Sequence, residues 1–289
     1  MYKIEKQQEY IKLLDHPVIN NYEMVFNFDE KIKTMLKTII NNNTYQNNKI
    51  ILKNTQNLKI KDKTIIYKLF LNPILGKKFP ILAYYDLYKN KIIFFVNNNL
   101  YIGHELIHMA SSVVREDAIF SGFIQNFIYN DKEIQIGLGL TEGYTSHESD
   151  RLFGESKNAY YIQKDIVKKL EEIVGVDLLK KYFYTADLLG LTNELTKYDS
   201  FDNVIDFICK VDKIHNTKNK LMKLEITKSI YLKLYQYNRI KRKIEYEKGK
   251  ITFDELEDLT LNFSKIYLLD VMRDFKFQDI IKERERILW

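Results

Sequence analysis

Hydrophobic positions change their period several times along the chain, and each change marks an expected boundary. In "FDEKIKTMLKTII", Phe28, Ile32, Met35, Leu36 and Ile39 recur at three- and four-residue steps, which predicts an amphipathic helix opened by Asn27 or Asp29. The polar "NNNTYQNN" at 41–48 predicts a loop. From about 49 to 97 the pattern shortens to "KIILKN", "TIIYKLFL", "PILAYYD" and "KIIFFV", apolar runs bounded by Asn, Lys, Gly and Pro that predict strands. The last two form an expected hairpin with its turn at Leu87 to Asn90.

A helical period then returns. Leu106, Ile107, Ala110, Val113 and Val114 predict a helix from 101 to about 115 with one buried face. "FSGFIQNFIYNDKEIQIG" predicts a second hairpin turning at Asn130 and Asp131, and a new helix is expected near "LTEGYTSHESDRLF" with Thr141 as its N-cap. Beyond 157 the chain reads as helix after helix, through "NAYYIQKDIVKKLEEIVG", "DLLKKYFYTADLLGL" and "FDNVIDFICKV". The expected class is α+β. A mixed-sheet subdomain over 1–116 would end in the 101–115 helix, and a mainly helical subdomain would follow over 117–289.

Composition narrows the picture in three places. Cys209 is the single cysteine, so no intrachain disulfide can form. The N-terminal "MYKIEKQQEYIKLL" carries charges where a secretory signal needs an apolar core, and no window approaches eighteen uncharged apolar residues. The expectation is a soluble, cytoplasmic protein with no membrane partner. The net charge of +6 is widely spread, and the densest basic run, "RIKRKIEYEKGK" at 239–250, is interrupted by acids. That pattern suits a solvated helix face, so nucleic acid is not an expected partner.

Chemistry concentrates in "YIGHELIHMASS" at 101–112. His104 and His108 stand four residues apart on one helical face, so both imidazoles reach one point in space. Zinc takes neutral imidazole nitrogen and favours four-coordination, with three protein ligands in catalytic sites. Glu105, one residue along, would lie beside such a metal and could take a proton from water. A third ligand is needed. Metzincins would have Gly and His where this chain has Ser111 and Val114, which excludes them. "GLTEGYTS" offers Glu142, expected in the first turn of a helix after Gly137 and Gly139. The helix dipole also favours a plain surface glutamate at such a place.

"HELIH" followed by "LTEGYTS" resembles the gluzincin zinc metallopeptidases, and "YYDLYKNKIIFF" is similar to the hairpin that precedes the HExxH helix in many zincins. The resemblance spans roughly 80–190. It implies a zincin-like fold and a metalloendopeptidase acting on a peptide or protein substrate. It also implies Zn2+ held by His104, His108 and Glu142, with Glu105 as general base. The strand near 91–96 would be the sheet edge that aligns the substrate. Two features depart from the family. Ser146 stands where thermolysin-like members have an aspartate that holds a histidine; it can accept a hydrogen bond but adds no charge. The Gly-x-Met-Glu-Asn motif of aminopeptidases is absent from the sequence.

An oxyanion-stabilising group is not singled out, because Tyr144, Tyr160, Tyr161, Tyr182, Tyr184, His147 and His215 are all candidates. His147 falls about 140° around a helix from Glu142, which excludes it as a fourth ligand. Two other functions compete with the peptidase. One is a catalytically silent zincin-fold binding or regulatory protein; the other is a basic nucleic-acid-binding protein with structural histidines.

Overall fold

The computed structural model describes residues 30–56, 58–62, 83–94, 102–115, 118–129, 132–155, 160–259 and 261–262. They are mostly helical with three small sheets, an α+β arrangement. Contacts group them into two units. The first holds the described residues among 1–124, 145–157 and 181–187, and the second those among 125–144, 158–180 and 188–289.

In the first unit, the helix Glu30–Asn41 buries Ile32, Met35, Leu36, Ile39 and Ile40, as its period predicts. Asn27, Phe28 and Asp29 lie outside the described residues. The expected loop at 41–48 and strand at 49–54 are corrected to a second helix, Tyr45–Gln56. Its buried face mixes Ile51 and Leu52 with polar side chains, which hides it from a hydrophobic count. Asn54 is buried, and its side-chain amide donates to the carbonyls of Met109 (2.9 Å) and Ser112 (2.7 Å). Thr55 is buried too, and its hydroxyl donates back to the Ile51 carbonyl.

Three strands follow: β1 (Lys59–Asp62), β2 (Ala83–Asp86) and β3 (Lys91–Phe94). β2 and β3 make the expected antiparallel hairpin, with Ala83 opposite Phe94 and Asp86 opposite Lys91. Asn90 closes its turn at φ 45, a left-handed conformation that asparagine tolerates. The sheet order is β1-β3-β2, with β1 parallel to β3. The strand expected at the edge is therefore the middle one. Ile92, Ile93 and Phe94 are all buried, and a continuous apolar run suits a strand covered on both faces better than an edge. The run "TIIYKLFL" lies outside the described residues.

The next helix is Ile102–Ala110, five residues shorter than its predicted end. Hydroxyls stop it. Ser111, Ser112 and Ser121 all donate to the His108 carbonyl, at 3.1, 2.8 and 3.2 Å, while Asn54 takes the Met109 carbonyl. Carbonyls of the last turn thus find partners outside the helix. Val113 and Val114 continue as strand β4 (Ser112–Arg115), antiparallel to β5 (Ala118–Ser121). β-branched side chains fit there.

The second unit opens with the predicted hairpin, β6 (Gln125–Tyr129) against β7 (Lys132–Ile136). Its turn, Asn130 and Asp131, lies outside the described residues. The helices beyond 157 are Tyr161–Val174, Val176–Tyr184 (its end, from Lys181, groups with the first unit), Leu188–Leu195, Phe201–Asn216 and Lys220–Glu247. "DLLKKYFYTADLLGL" is two helices rather than one, broken at Ala186 with φ 48. Most of the basic run lies within the last long helix, where Arg242 pairs with Glu245 (2.8 Å) and Lys243 lies 3.8 Å from Glu247. Among the described residues, no helix is long and apolar enough to cross a membrane.

Candidate metal centre

His104 and Glu105 are buried in the helix Ile102–Ala110, at 4% and 6% exposure, whereas His108 is half-buried. The two histidines turn their Nε2 atoms toward each other at 3.2 Å, with the rings inclined at 76°. Glu142 joins them. One ligand atom from each of His104, His108 and Glu142 lies within 4.8 Å of the other two.

This spacing can be tested against what a metal requires. Two nitrogens bound tetrahedrally at about 2.0–2.1 Å from a zinc ion lie about 3.3 Å apart. The observed 3.2 Å fits that value, and the carboxylate, within 4.8 Å of both nitrogens, has to close in by up to about 1.5 Å to complete the set. A hydrogen bond between the two rings gives a similar nitrogen separation, but it does not by itself bring a carboxylate to the same point. Two imidazoles and a carboxylate are a donor set suited to zinc, and the group could hold a metal ion.

Glu142 stands on the helix Leu138–Phe153. That helix begins earlier than predicted, so Glu142 occupies its second turn, and Thr141 is not the cap. The Thr141 hydroxyl donates back to the Gly137 carbonyl at 2.8 Å from inside the helix. The cap is remote: the Asp212 carboxylate accepts from Gly137 N at 2.8 Å and Gly139 N at 2.6 Å. Burial pushes the Asp212 carboxyl above its usual range, opposed by these two backbone N–H groups. Asp212→Ala should therefore lower stability by about 1–2 kcal/mol, as loss of an N-cap does. Asp212→Asn, which keeps one acceptor and removes the buried charge, should cost less. Urea unfolding of the two variants separates these outcomes.

Glycines let this helix sit close to its neighbours. A Cβ on Gly139 would lie 2.7 Å from the Val211 carbonyl oxygen, and one on Gly143 would lie 2.5 Å from that of Gln163. The glycine in "TEGY" thus has a packing role beside Glu142. Ser146, which stands where thermolysin-like members have an aspartate, holds no histidine among the described residues. Its hydroxyl is buried and makes no hydrogen bond among the described residues. Further along, Glu148 is fully buried, pairs with Arg151 and accepts from the Tyr184 hydroxyl at 3.5 Å. Burial, reinforced by the Glu148 charge, pushes the Tyr184 phenol far up.

No protein-family model matches the chain, and no curated protein or solved structure is significantly similar to it. Its chemistry has to be read from its own residues.

Among the oxyanion candidates, Tyr184 is engaged with Glu148 and Tyr144 is fully buried. Tyr160, Tyr182 and His147 are half-buried, and His147 is not part of the ligand group. The side chain of His215 lies outside the described residues. Sequence reasoning missed Asp212 and a second remote carboxylate. Glu155 accepts from Gly103 N and His104 N, both at 3.1 Å, at the start of the histidine helix. No local signal marks either one, because each acts across more than fifty residues of chain.

Proposed function

We propose that the protein is a zinc-dependent endopeptidase of zincin-like fold, with His104, His108 and Glu142 as the metal ligands. The observation that carries this reading is the 3.2 Å approach of the two Nε2 atoms with the Glu142 carboxylate joining them. Zinc bound there would supply Lewis acidity, polarising a scissile carbonyl and acidifying water.

The chain's own groups do the rest. Glu105 follows His104 directly and is buried, so its carboxylate works in a poorly hydrated setting. There it takes a proton from water and returns it to the departing amine. His104 and His108 offer ring nitrogens, oriented by a helix whose two ends are both tied down. An extended peptide would add to the sheet along Ala83–Asp86, which lies at an edge of the described sheet, in place of the central 91–94 strand.

The test is to incubate zinc-loaded protein with a mixed peptide library and sequence the new termini. Internal cleavage that stops with a chelator and returns with zinc is expected. Stoichiometric zinc with no cleavage of any peptide would overturn the peptidase reading in favour of a silent binding protein.

A further inference from the structure

The helix Leu138–Phe153 ends at Gly154, whose φ of +65 turns the chain out of the helix. A residue with a Cβ is strained in that conformation. The turn sets Glu155 against the start of the histidine helix. Its Oε1 accepts from Gly103 N, while Oε2 accepts from both His104 N and the Ser149 hydroxyl, the latter at 2.7 Å. One carboxylate thereby takes up two of the orphan N–H groups at the N-terminus of the helix that carries His104, Glu105 and His108. Through Ser149 it is anchored to the helix that carries Glu142. The approach is close: a Cβ on Gly103 would lie 2.3 Å from the Phe153 ring and 2.8 Å from the Glu155 carboxylate, so these side chains would have to shift.

We propose that Glu155 is a positioning residue for the metal group, a clamp that fixes the histidine helix against the end of the glutamate helix. It touches neither metal nor substrate and acts through the His104 backbone. This proposal rests on the metal reading above. Carboxylates and hydrogen bonds that hold metal ligands from behind typically change metal affinity by tenfold or more when lost. A negative charge at this helix end also opposes the positive pole of the helix dipole, so Gln, which keeps the shape, removes part of the clamp.

The experiment uses the full chain, with zinc and cobalt(II) as the probes. Zinc affinity is measured by competition with a chromophoric chelator, coordination by the visible spectrum of the cobalt form, and melting in the metal-free state. Glu155→Gln should bind zinc about tenfold more weakly than wild type and change the cobalt bands. Equal affinity with an unchanged cobalt spectrum, even at a lowered melting temperature, would make Glu155 a purely structural cap and overturn the proposal. If Glu155→Gln does not fold, Ser149→Ala takes its place, with zinc binding weaker than wild type expected. Wild-type affinity in that variant would overturn the proposal equally. A wild-type chain that takes up neither zinc nor cobalt would instead refute the metal reading itself.

Discussion

Glu105→Gln is expected to leave the metal bound and to lower peptide hydrolysis by about 10²- to 10⁴-fold, the usual contribution of a positioned general base. The amide keeps the size of the side chain and cannot take a proton. Because Glu105 is outside the His104, His108 and Glu142 group, losing its charge leaves the donor set complete. His104→Ala should behave differently, removing one of the two converging nitrogens and abolishing metal and hydrolysis together. Metal content and hydrolysis rate, measured on the same preparations, separate the two variants. A Glu105→Gln protein that cleaves at the wild-type rate would remove Glu105 from the chemistry.

Gly143→Ala is expected to destabilise the protein by about 1–3 kcal/mol, the usual cost of forcing an extra methyl into a packed contact. The atom it meets, at 2.5 Å, is the backbone carbonyl oxygen of Gln163, which cannot rotate aside without moving its helix. The neighbouring residue is Glu142, so the same displacement should weaken metal binding. Gly103→Ala offers a contrast. The atoms it meets belong to the side chains of Phe153 and Glu155, which can give way more easily. Thermal unfolding of both variants should therefore rank Gly143→Ala below Gly103→Ala, and an unchanged midpoint for Gly143→Ala would contradict the close packing.

How far the sequence could be read depended on the range of each interaction. His104 and His108 were legible because a four-residue spacing on a helix is a local fact. Glu142 was reached through a short motif, and the structure brings it to the same point. Both hairpins were legible from short apolar runs separated by polar turn residues. Strand order was not: "KIIFF" announces a strand, and only β1 pairing on its far side makes it central. The helix at 45–56 shows little helical hydrophobic period, because the buried Asn54 and Thr55 side chains meet carbonyls. The end of the histidine helix depends on Ser121, thirteen residues past the carbonyl it reaches. The carboxylates that cap the helices carrying His104 and Glu142, Glu155 and Asp212, come from about fifty and seventy-five residues away. Local spacing thus gave the donor atoms, while the groups that orient them belong to tertiary structure.

Metal content is the most direct test. Elemental analysis of the purified wild-type chain, before and after zinc titration and removal of excess, should give about one zinc per chain, and close to none in His104→Ala and His108→Ala. A wild-type chain that carries no zinc and takes up none on titration would contradict the metal centre, and with it the peptidase.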